Sequence, residues 1–155
     1  MTKAKLIAPY GGKLVNLVVN AKEREDLLAR APKLPSIKIT MRNLCDLELL
    51  ATGGFSPLTT FMGKADYERV LHEMRLADGT LWPLPITLTA EPKELPTVGE
   101  DLVLRNANND VIAILTLDEV YHWDSETEAA RAYGSTDPRH PMISEMERWG
   151  KVCIS

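Results

Sequence analysis

Three histidines, two cysteines and a few glycine turns are the groups in this sequence best suited to chemistry near neutral pH. His72, His122 and His140 stand far apart. No two of them are three or four residues apart, so no helix carries a metal-binding pair. His72 falls on the polar side of a helical stripe and reads as solvated. His122 at a strand end and His140 in a turn before Pro141 read as residues that hydrogen-bond within the scaffold. Cys45 and Cys153 make neither a disulfide framework nor a metal knuckle. Cys45, beside an apolar stripe, reads as an inert core thiol, and Cys153 as part of a strand-like tail. Ser56 lacks the Gly-x-Ser-x-Gly elbow of a hydrolase nucleophile.

Phosphate cradles come next. Gly11-Gly12-Lys13 has the tail of a P-loop without its upstream Gly or its following Ser or Thr, and reads as the approach to a strand. Gly53-Gly54-Phe55-Ser56-Pro57-Leu58 is richer. Its glycines permit positive φ and leave backbone amides free to meet a ligand or another backbone. The plainer reading is a helix end followed by a tight turn that docks Phe55 and Leu58. Trp82, Trp123 and Trp149 are scattered rather than interleaved with basic residues, so no stacking platform for bases is visible. No complete catalytic set emerges.

The elements that must position these groups are short. Val15, Leu17 and Val19 alternate and read as a half-buried strand. Asn20 with Glu23 is a capping box opening a helix over 22–30, stopped by Pro32 and Pro35. Ile37 and Ile39 mark a strand. Asn43 is placed to cap a second helix, whose Leu44, Leu47, Leu50 and Ala51 share a face and which Gly53 ends. Tyr67, Val70, Leu71 and Met74 form the stripe of a helix over 66–75. Strands follow at 86–89, 102–105 and 111–117, with Asn106 to Asp110 as a hairpin loop. Ser125 with Glu128 reads as another capping box, for a helix closing at Gly134. A last short helix stops near Gly150. Strands and short helices without a βαβ rhythm predict an α+β, mainly β fold.

Composition sets the frame. The chain has 155 residues, enough for one domain (1–155) that buries a sizeable core. Its 45% apolar and 26% charged residues exclude a disordered or collagenous chain. Eighteen basic against 22 acidic residues give a net charge of -4, which argues against nucleic acid as a partner. No apolar run has the length of a membrane span, and Met1-Thr2-Lys3-Ala4-Lys5 does not open a secretory signal. A reducing cytoplasm is the expected location.

Three stretches carry a resemblance. One runs from Arg42-Asn43-Leu44-Cys45-Asp46-Leu47-Glu48-Leu49-Leu50 on to Gly53-Gly54-Phe55-Ser56-Pro57-Leu58-Thr59-Thr60-Phe61-Met62. The second is Trp82-Pro83-Leu84-Pro85-Ile86-Thr87-Leu88. The third is Leu102 to Tyr121 with Gly134-Ser135-Thr136-Asp137-Pro138-Arg139-His140-Pro141 behind it. Together they resemble the amino-terminal domain of the ATP sulfurylase (sulfate adenylyltransferase) family, from about Pro9 to the end. Thr60 departs from the Gly that many members carry there.

The resemblance implies a PUA-like fold, a small distorted β-barrel with short helices packed around it. It implies a parent enzyme that joins ATP and sulfate into adenylyl sulfate and pyrophosphate. MgATP is then a requirement of that full-length enzyme, with no cofactor in this chain. The family's Gln-x-Arg-Asn-Pro, His-x-x-His and Gly-Arg-Asp-His motifs lie in its second domain and are missing here, so no catalytic residue or metal ligand transfers. The implied partner is the catalytic domain of the same enzyme, with room for a homo-oligomer of the full-length protein. The end at Cys153-Ile154-Ser155, with a strand under way, reads as a cut near a domain boundary rather than a natural short protein.

A scaffold role follows, with Arg42, Asn43, Gly53, Gly54, Phe55, Ser56, Pro57, Leu58, Phe61 and Met62 as candidates for interdomain contact. Composition suggests that this loop is exposed, with apolar side chains that gain from being covered. The alternative is a stand-alone PUA-like module binding RNA or a small ligand. A self-sufficient enzyme is disfavoured by the missing motifs.

Overall fold

The computed structural model describes residues 6–155. The first five residues, read above as no secretory signal, lie outside it. Asn20 caps α1 (Ala21–Arg30) through the anticipated box: its side chain accepts from the Glu23 amide, and the Glu23 carboxylate accepts from the Asn20 amide. A single turn, Ala31–Lys33, leads to β1 (Ser36–Lys38). Helix α2 (Met41–Thr52) and α3 (Lys64–Glu73) follow. Then come β2 (Leu88–Ala90), β3 (Asp101–Arg105), β4 (Val111–Thr116) and β5 (Val120–His122). The chain closes with α4 (Ser125–Ala132), α5 (Pro141–Met146) and β6 (Val152–Ile154). No helix among the described residues is long and apolar enough to cross a membrane.

The strands form two three-stranded sheets. One has the order β1-β3-β4, with β1 parallel and β4 antiparallel to β3. The other is antiparallel throughout, in the order β2-β6-β5. The mixed α+β class is as anticipated. Among the described residues the sheets do not close into a barrel, and the helices hold more residues than the strands. Three short strands per sheet leave edges that no neighbour pairs. The core lies between the sheets and α2 to α5. It contains Leu50, Phe61, Met62, Leu88, Leu102, Leu117 and Ile154, all almost fully buried.

Several local readings change. Thr40, not Asn43, caps α2; its hydroxyl accepts the Asn43 amide. Asp124, not Ser125, caps α4, and Glu128 turns into the core. Val15, Leu17 and Val19 join neither sheet; they lie in an extended strap with Leu17 and Val19 exposed. Met74 ends α3 in a left-handed conformation (φ 54°) and faces outward, leaving the stripe that sequence periodicity gave it. Cys45 is exposed rather than core.

Candidate functional site

The Gly53–Met62 loop is held by the chain's own strap. Gly53 ends α2 with φ 87°, and a Cβ there would run into the Val15 carbonyl oxygen. The Val15 amide donates to the Ser56 hydroxyl at 3.0 Å, and the Leu17 amide to the Ala51 carbonyl at 2.9 Å. Ser56 in turn donates to the Gly53 carbonyl at 2.8 Å. Gly54 is exposed, and the Ser56–Pro57 peptide is cis. Phe55 meets Trp82 edge-on at 5.9 Å between ring centroids, and Tyr10 lies 6.5 Å from the same ring. The turn thus meets another backbone, and that backbone is its own.

The expectation of an exposed apolar loop fails. Leu58, Phe61 and Met62 pack into the domain's own core, with Phe61 and Met62 each 1% exposed. Burying such large side chains stabilises the isolated domain, so composition alone cannot reserve them for a partner.

Arg42 and Asn43 are engaged on the other side of α2. Arg42 stacks over the Trp149 ring at 4.2 Å and lies 3.6 Å from Asp46. Trp149 in turn lies 5.6 Å from Trp123, so two tryptophans that look scattered in sequence meet here. The Asn43 amide group donates to the Thr87 carbonyl at 3.0 Å, and its oxygen accepts from the Thr40 hydroxyl at 2.8 Å. Asn43 clasps α2 to the chain entering β2.

Behind Arg42 lies a cluster of titratable groups that pattern reading missed. Glu128 is fully buried, and its Oε2 accepts from the Tyr67 hydroxyl at 3.0 Å. Its Oε1 has no hydrogen-bond partner among the described residues. Burial raises the Glu128 carboxyl above its ordinary range, opposed by the Tyr67 hydrogen bond and the Arg42 charge. Burial likewise raises Asp46, against Arg42. The Tyr121 hydroxyl donates to the Met62 carbonyl at 2.7 Å. Burial first, then the Glu128 charge, pushes the Cys153 thiol up to about 12, which keeps it unreactive at neutral pH. In sequence, Glu128 was indistinguishable from a capping-box partner.

The three histidines are exposed. Among the described residues no three His, Cys, Asp or Glu side chains gather to hold a metal. Arg42 is stacked and ion-paired, Asn43 is bonded at both ends of its amide, and the Gly53 turn is filled by Val15.

Among the described residues an apolar groove of about 420 Å³ lies open. Leu17 and Val18 of the strap, Leu27 and Leu28 of α1, and β4 wall it, while Phe61 and Leu104 lie deeper. Thr59 and Thr60 of the loop line it as well. Val18 is 61% exposed, Leu28 37% and Ile112 38%. Arg24 and Glu48 are its only charged lining residues among the described residues.

A model for PUA-like domains matches residues 7–155. The chain belongs to the PUA-like domain family. This PUA-like domain is 42% identical over 153 residues to the sulfate adenylyltransferase of Symbiobacterium thermophilum, covering 97% of the chain and 39% of that protein. It is 46% identical over 141 residues to the sulfate adenylyltransferase of Emericella nidulans, covering 87% of the chain and 24% of that protein. A solved chain described as hexameric APS kinase from Thiobacillus denitrificans superposes with a TM-score of 0.67 at 45% identity, over 77% of this domain and 24% of that chain. The PUA-like domain thus spans two fifths or less of the length of these relatives.

Proposed function

We propose that this PUA-like domain is the amino-terminal, non-catalytic part of a sulfate adenylyltransferase. Its role is to support the catalytic domain that forms adenylyl sulfate and pyrophosphate from MgATP and sulfate. The observation that carries the reading is the combination of partial coverage and an open apolar groove. Relatives named for this activity match nearly all of the domain with two fifths of their length, and the domain keeps an apolar surface uncovered. The groove, with Thr59 and Thr60 of the loop in its lining, is the docking face. Phe55, Ser56, Pro57 and Gly53 fix the shape of that loop through the strap, and Leu58, Phe61 and Met62 anchor it from below.

The test is a chimera in which this chain replaces the matching region of the Symbiobacterium thermophilum protein. The chimera should release pyrophosphate from ATP in a sulfate-dependent reaction, and the chain alone should not. Activity in the chain alone overturns the non-catalytic role. A folded but inactive chimera overturns the assignment to this enzyme.

A further inference from the structure

The groove is lined by Val111, Ile112, Ala113, Ile114 and Leu115, which are consecutive residues of β4. Side chains of a strand alternate between faces, so one face would contribute every second residue. An unbroken run brings the edge of the strand to the groove together with the face that Leu104 of β3 shares with its partner Ala113. β4 is the last strand in the order β1-β3-β4, and its far edge is unpaired among the described residues. None of its six residues is charged and none is proline. Edge strands left to solvent usually carry such guards, or are short or twisted away. The opposite wall, Val18 and Leu28, is apolar and exposed.

We propose that an extended apolar segment of the sulfate adenylyltransferase catalytic domain adds to the free edge of β4 as a fourth strand of the first sheet. The proposal rests on the function argued above and specifies the partner of the same groove. An added strand lies about 4.8 Å from its neighbour and satisfies the edge N–H and C=O groups. Its side chains meet Val18 and Leu28 on one side and Ile112 on the other. That matches a groove that is apolar apart from Arg24, Glu48, Thr59 and Thr60. The three fifths of the Symbiobacterium thermophilum relative outside the matched region is the source of the segment. Strand addition obtains affinity from backbone bonds and specificity from alternate side chains.

The test is amide hydrogen exchange over Val111–Thr116 in the chain alone and in the Symbiobacterium chimera, each with and without Ile112→Lys. The β4 amides should exchange at least about ten-fold more slowly in the chimera than in the chain alone. Ile112→Lys should abolish that difference while moving the melting point of the chain alone by no more than about 2 °C, because a lysine on an open edge is tolerated. Equal exchange in the two samples overturns the proposal. So does protection in the chain alone that rises with concentration, since a second copy then pairs with β4. An active chimera with unprotected β4 overturns the strand and leaves the function standing. A protected but inactive chimera supports the strand and overturns the function.

Discussion

The two sides of this domain treat their surfaces in opposite ways. Around Glu128, two tyrosines and a thiol are buried with the carboxylate, Tyr67 donates to Glu128 and Tyr121 to the Met62 carbonyl, and Arg42 is laid over Trp149. Around β4, aliphatic side chains of the strap, α1 and the strand edge stay open to solvent. The first side turns its polar groups inward, at the cost of desolvating a carboxylate whose Oε1 has no hydrogen-bond partner among the described residues. The second leaves apolar area and strand-edge groups open among the described residues, which is what the proposed docking uses. The loop from Gly53 to Met62 joins the two sides. It is anchored in the core by Phe61 and Met62 and lines the groove with Thr59 and Thr60.

The largest effect comes from removing that anchor. Phe61→Ala should destabilise the isolated chain by about 3–5 kcal/mol, read by chemical denaturation, because Phe61 is core rather than a contact held in reserve. A change below about 1 kcal/mol would mean that the loop is independent of the core.

Next is the strap. Gly53→Ala forces a positive φ on a residue with a Cβ and drives that atom at the Val15 carbonyl. It should cost about 2–3 kcal/mol and speed exchange of the Val15 and Leu17 amides. Unchanged exchange at both amides would detach the strap from the turn.

The buried side gives a pH signature. The Glu128 carboxyl is raised above the ordinary value of 4.5, so the folded state holds its proton longer than the unfolded chain does. Stability supplied by that proton is present below 4.5 and is lost as pH rises through the folded value. Glu128→Gln, which cannot ionise, should therefore gain melting temperature relative to the parent as pH rises, and the gap should close toward acid. A gap that does not vary with pH would show that Glu128 titrates alike in the folded and the unfolded chain.

The smallest effect belongs to the open side. Val18→Ser should change the stability of the isolated chain by less than about 0.5 kcal/mol, because the side chain is mostly exposed. In the chimera the same change should lower the melting point measurably. Equal effects in both would erase the contrast between the two sides.

What the sequence disclosed follows the same division. Local chemistry was legible. The Asn20–Glu23 box, the stop at Gly53 and the β3–β4 hairpin depend on residues a few positions apart. Long-range chemistry was not. Thr40 and Asn43 each have the chemistry of a cap, and what settles Asn43 is a carbonyl 44 residues away. Glu128 reads as a helix-start residue until Tyr67, from another helix, reaches it. The alternation of Val15, Leu17 and Val19 signals an extended segment without saying what would cover it. A glycine-rich loop looks exposed until Phe61 finds the core.

The most direct test of a scaffold without its own substrate site is calorimetric titration of the folded chain with MgATP, and then with adenylyl sulfate, in one buffer. No heat of binding with either is the expected result, because Arg42, Asn43 and the Gly53 turn are already engaged within the domain. Saturable heat with either ligand would contradict it and place part of the nucleotide site in this domain.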